Sequence, residues 1–115
     1  MSVGEEMRVF RVTVRGQFAD LTAQSQAFLV RSQADHEIFR SAYTPEGTFT
    51  YDAQIGFFNL RYELRACGPD ALELVALEAV DEGERFLCTL GIGWKNLRTN
   101  VVDMSAMNND VRRLR

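Results

Sequence analysis

The stretch Phe10-Arg11-Val12-Thr13-Val14-Arg15-Gly16 limits what this chain can become more than any other. Phe10, Val12 and Val14 fall on one side of an extended backbone; Arg11, Thr13 and Arg15 fall on the other. Period-two alternation with β-branched residues specifies a strand with one buried face. A slip of one residue would drive two arginines into the core, so the register is set by the pattern itself. Gly16 ends the regular run and permits a turn or a close backbone approach.

Phe57 to Arg65 repeats the pattern. Phe58, Leu60, Tyr62 and Leu64 form one face, and Asn59, Arg61, Glu63 and Arg65 the other. If the two strands are neighbours, Arg11, Arg15, Arg61 and Arg65 make a basic patch that Glu63 partly offsets. Directly opposed like charges destabilise a sheet, so an offset register or an anionic partner is expected. The plainer reading is a solvated face, with arginine stems lying over the sheet and their heads in water.

The segments between are helical or turned. Asp20 or Thr22 can cap a helix from Leu21 to about Ala34, with Leu21, Ser25, Phe28, Leu29 and Ser32 on its thin apolar face. His36 follows near the exit, where an imidazolium suits the helix dipole without any further role. Thr44-Pro45-Glu46-Gly47 fits a type I turn, set either in a hairpin or as a bulge in one strand, with proline favouring a sheet edge. Tyr43, Phe49 and Tyr51 around it line a pocket or pack in the core. Gly68-Pro69-Asp70 starts a second helix. Leu72, Ala76, Ala79, Val80, Gly83, Leu87 and Leu90 share a stripe that favours one long helix closed by Gly91. A hairpin turn at Asp81-Glu82-Gly83 is the competing reading. A last strand runs from Trp94 to Met104, with weak alternation. Residues 1–7 and 108–115 read as flexible ends.

The order β-α-β-β-α-β specifies an α+β fold: a ferredoxin-like βαββαβ sandwich, an antiparallel sheet with two helices on one face and the first and third strands central. At 115 residues it makes a single domain, 1–115. The formal charge of −3 argues against a general nucleic-acid binder. So does the outward Arg, Thr, Asn and Glu composition, since RNA-binding sheets expose aromatics. Cys67 and Cys88 have neither zinc nor redox-pair spacing and read as reduced thiols. The acidic start lacks a signal peptide's apolar core, and no run suffices for a membrane span. The expectation is a cytoplasmic protein.

With one histidine in the chain, no metal site and no cofactor is expected. Gly91-x-Gly93 lacks the third glycine of a phosphate loop, and no serine carries a nucleophile motif.

Three segments carry a resemblance: Val12-Thr13-Val14-Arg15-Gly16; Tyr43-Thr44-Pro45-Glu46-Gly47 with Tyr51-Asp52; and Trp94-Lys95-Asn96-Leu97-Arg98 followed by Val102-Asp103-Met104-Ser105. In this order they resemble a family of small uncharacterised actinobacterial proteins, a domain of unknown function. The resemblance implies a shared fold and brings no activity; Trp94 departs from it where a smaller aromatic is expected. The opening Val-x-Val-x-Gly is similar to acylphosphatases. That family needs a phosphate-cradling loop ending in arginine. Here Gln17-Phe18-Ala19-Asp20-Leu21-Thr22 has no arginine and adds an acid that repels phosphate. At the level of fold alone, the chain is similar to dimeric α+β barrels such as small monooxygenases and polyketide cyclases.

Two functions follow as expectations. One is a binding or interaction module, homodimeric, using the basic sheet face or the Trp94-Lys95-Asn96 corner. The other is a dimeric-barrel enzyme acting on a small aromatic or anionic metabolite. The candidate ligand-binding residues are Arg11, Arg15, Tyr43, Tyr51, Arg61, Trp94, Lys95 and Asp103, with no catalytic set. Convergence of Tyr, Asp and Arg in a closed pocket would favour the enzyme.

Overall fold

A computed structural model describes residues 7–36 and 42–105. The expectations for residues 1–6, 38–41 and 106–115 lie outside that range, as does the side chain of His36.

The domain is α+β, a four-stranded antiparallel sheet with two helices. Its strands are β1 (Arg8–Phe18), β2 (Thr48–Tyr51), β3 (Phe57–Ala66) and β4 (Trp94–Asp103); its helices are α1 (Ala23–Arg31) and α2 (Ala71–Thr89). The sheet order is β2-β3-β1-β4, so the two most strongly alternating strands are central. β1 pairs with β3 without interruption from Arg8↔Ala66 to Gln17↔Phe57. Phe10, Val12, Val14, Phe58, Leu60 and Tyr62 all point into the core, as alternation dictates.

β1 does not turn at Gly16 but runs on to Phe18. What the glycine provides is space. A Cβ there would lie 2.5 Å from Phe58 Cζ and 2.7 Å from Leu97 Cδ2. Opposite it β4 holds an extra residue: Arg15 faces Arg98 but Gln17 faces Lys95. Asn96, at φ 56°, takes the left-handed conformation such a bulge needs.

α2 is one 19-residue helix, not a hairpin. Its buried row is Ala71, Val75, Ala79, Gly83 and Leu87. This corrects the expected stripe, since Leu72 is 49% exposed. Small residues at i, i+4 let the helix approach the sheet, and Gly83 lies against Leu60 with room for a Cβ only 3.0 Å from Cδ1. The helix stops at a Schellman motif. Gly91 (φ 70°) donates its N–H to Cys88 O, and Ile92 donates to Leu87 O.

α1 is shorter than the expected 21–34. Thr22 rather than Asp20 caps it, Oγ1 accepting from Ser25 N at 3.0 Å. It ends at Ser32 and passes into a 3₁₀ turn, Gln33–His36. Leu29 carries α1 into the same core as α2, and its carbonyl accepts the Tyr51 hydroxyl.

The Thr44–Gly47 turn forms, with Gly47 N donating to Thr44 O at 3.2 Å, but it joins neither a hairpin nor one long strand. Thr44 makes a parallel bridge to Tyr62, and β2 follows as a short edge strand. The Tyr43 ring therefore lands on the side of the sheet away from the helices, while Phe49 and Tyr51 enter the core.

Candidate functional site

The helices leave one face of the sheet open. Register places Arg11, Thr13, Arg15 and Gln17 of β1 outward, beside Phe57, Asn59, Arg61, Glu63 and Arg65 of β3. β4 adds Lys95, Arg98, Asn100 and Val102. The strand positions of this face hold six cations (Arg11, Arg15, Arg61, Arg65, Lys95, Arg98) and one carboxylate, Glu63.

In the β1–β3 half the arginines are offset from one another, and Arg11 and Arg61 have local partners. Arg11 faces Glu63, with Nε 3.6 Å from Oε2. Its guanidinium also lies 5.3 Å from the centre of the Tyr43 ring, and the Tyr43 hydroxyl is hydrogen-bonded to Thr13 Oγ1 at 2.8 Å. Arg61 faces Thr13 and donates to Thr50 Oγ1 at 2.7 Å.

In the β1–β4 half like charges are opposed directly. Arg15 and Arg98 are direct cross-strand partners, and Lys95 follows one pair further on, opposite Gln17. None of the three makes an ion pair among the described residues. Arg15 instead lies over the Phe57 ring, 4.9 Å from its centre. Beside it Asn96 Nδ2 donates to Gln17 Oε1 at 2.8 Å. These groups line an open recess of about 280 Å³, bounded by Arg15, Gly16, Gln17, Phe57, Asn96 and Arg98. The bulge makes the recess: it sets Asn96 out of the pleat and returns Arg98 to the outer face.

Of the residues singled out from sequence, Arg11, Arg15, Arg61 and Tyr43 share the open face, and Lys95 stands at its end. Tyr51 and Trp94 turn the other way: Tyr51 is buried and Trp94 packs against the core as the partner of Phe18. Asp103 sits at the far end, where Arg8 Nη1 donates to Oδ2 at 2.9 Å. The recess beside Arg15 and Arg98 is open and contains no Tyr or Asp. Sequence reasoning missed Arg98, Phe57 and Gln17 and named Asn96 only in the corner with Trp94 and Lys95, because these residues meet only across β1, β3 and the bulge.

Residues 1–115 match a family described as a family of unknown function, DUF6204. The chain belongs to DUF6204. No curated protein and no solved structure matches it. Function in this DUF6204 chain must therefore be read from its own geometry. Among the described residues no three His, Cys, Asp or Glu side chains group as a metal site, and no helix is long and apolar enough to cross a membrane. Cys67 and Cys88 are free and exposed.

Two titratable groups outside the recess lining are shifted by their surroundings. Burial raises the Asp52 carboxyl, but N–H donors from Phe57 and Gly56 outweigh it and hold the group below its ordinary value. Burial, then the nearby Glu82 charge, pushes the Tyr62 phenol up to about 12.

What the open face can do chemically is hold negative charge. Its arginines offer planar forks that match carboxylate and phosphate oxygens.

Proposed function

We propose that this chain is a binding module that holds an anionic ligand on the open face of its sheet. The domain would be a ferredoxin-like βαββαβ sandwich over 1–115, acting in the cytoplasm. One observation carries the proposal: Arg15 and Arg98 oppose each other with no acid between them, in a chain of net charge −3. Strand order with β1 and β3 central supports the fold, and two free thiols suit a reducing compartment.

The dimeric-barrel enzyme would cover this face with a second copy. Two such faces would bring six cations and one carboxylate from each copy together. Homodimerisation through this face therefore requires an anion held between the copies.

The test uses poly-L-glutamate as a polyanionic probe, with binding followed by fluorescence anisotropy across salt concentrations. The wild type binds and weakens with salt. Arg15→Glu/Arg98→Glu loses most of the affinity, whereas Arg85→Glu on α2 does not. Equal binding by the wild type and the double variant would overturn the proposal.

A further inference from the structure

The basic face is not uniform, and its irregularity points to a defined ligand. Arg11 and Arg61 already have partners on the sheet. Arg15, Arg98 and Lys95 have no acidic partner among the described residues; Arg15 and Arg98 line the recess that the bulge opens, and Lys95 stands beside it, opposite Gln17. Resting on the reading above, we infer that this recess is the subsite for a phosphate monoester carried on a planar apolar body.

Arg15 and Arg98 are a direct pair, with Cα atoms about 4.5–5.5 Å apart in such a ladder, so both guanidinium groups reach one oxyanion. The Phe57 ring holds Arg15 by its face, which leaves the N–H edge of the guanidinium available for a fork-like contact. Gln17 Oε1 is occupied by Asn96 Nδ2, so what Gln17 offers a ligand is its Nε2 donor. Every polar side chain named here can therefore give a hydrogen bond to an oxyanion. Lys95 adds a third positive charge one pair away, which favours a dianion over a monoanion. The apolar side of the recess is Phe57, 41% exposed, against which the ligand body lies.

The probe is phenyl phosphate, titrated by calorimetry and by backbone amide shifts, with benzoate as a monoanion of the same body. Phenyl phosphate saturates one site and benzoate binds more weakly. Arg15→Ala and Arg98→Ala each weaken phenyl phosphate on the order of tenfold or more, as loss of a charge-assisted contact does. Arg98→Lys keeps the charge, loses the fork and falls between. Arg65→Ala, on the same face but at the other end of β3, leaves affinity within about twofold, the range of a screened distant charge. Equal losses from Arg65→Ala and Arg98→Ala would mean a diffuse field and overturn the subsite. Binding of poly-L-glutamate without binding of phenyl phosphate would overturn the subsite and leave the basic-face reading standing. Binding of neither would overturn both.

Discussion

Gly16→Ala is the sharpest probe of how the sheet is built. The new methyl would meet Phe58 Cζ at 2.5 Å and Leu97 Cδ2 at 2.7 Å, where ordinary contact begins near 3.4 Å. Something must move by most of an ångström. Phe58 is fully buried and is held by Phe18 at 5.1 Å and Phe49 at 6.1 Å between ring centres, so its ring cannot swing clear. Overpacking of this kind costs about 1–3 kcal/mol. Loss of glycine freedom in the unfolded chain returns about 0.4–1 kcal/mol. The net is a destabilisation of roughly 1–2 kcal/mol, which for a domain of this size lowers Tm by roughly 5–10 °C. Gly83→Ala supplies the contrast. Its methyl meets only Leu60 Cδ1, at 3.0 Å, and replacing a glycine in a helix interior gains about 1 kcal/mol. The two terms nearly cancel, and Tm stays within roughly 2–3 °C. Thermal unfolding followed by circular dichroism, with urea titration alongside, reads both. An unchanged Tm in Gly16→Ala, or equal losses at the two glycines, would refute the steric reasoning.

Asp52→Ala removes the acceptor for Gly56 N and Phe57 N and is expected to cost about 1–2 kcal/mol at neutral pH in urea unfolding. The Asp52 pKa is depressed in the folded state, so its contribution is present above the unfolded carboxylate value and lost as pH falls through the folded one; the wild type and the variant should converge in acid. The Tyr62 phenol is raised, so its contribution is complete below 10.0 and declines as pH rises through about 12. Ultraviolet titration should therefore show one phenol ionising near 12 that Tyr62→Phe removes. Light scattering at low salt should give the 13.1 kDa monomer, and a stable dimer that Arg11→Glu/Arg61→Glu dissociates would show that the open face is an enclosed interface.

Much of this fold was legible because β1 and β3 are half-buried strands, in which period two leaves little choice. α2 was legible as an element and its face through Ala79, Gly83 and Leu87, but the first turns were misread. A generic helical stripe takes in Leu72, whereas the row that touches the sheet is the one made of small residues, Ala71, Val75, Ala79 and Gly83. The end of α1 was overrun because its buried face is only Ser25 and Leu29, too little to hold a helix past Ser32. Tyr43 and Tyr51 went to opposite sides because Thr44 bridges to Tyr62, a long-range pairing with no local signal. The weak alternation of β4 has the same kind of cause. Lys95 faces outward before the bulge and Arg98, Asn100 and Val102 after it, so no single parity fits the strand. Half of the candidate recess lies past that change of parity, which is why Arg98 was not singled out beside Arg15.

The opposed arginines weigh most for function because stability alone does not explain them. At about 6 Å, two unit charges repel by about 3 kcal/mol at an effective dielectric of ~20, and by less than about 1 kcal/mol in water. Arg15 and Arg98 are exposed, so the cost lies nearer the smaller figure, yet it has the wrong sign for a sheet built only to be stable. The rest of the molecule treats charge otherwise. α2 carries Arg85 in ion pairs with both Asp81 and Glu82, and β1 sets Arg11 opposite Glu63. At the bulge, by contrast, an aromatic ring and an opened pleat coincide with two arginines opposed to each other. Departures of this kind concentrate at functional sites. A bound dianion would turn the Arg15–Arg98 repulsion into two attractions, so ligand should raise the stability of the wild type and should do so less in Arg98→Ala.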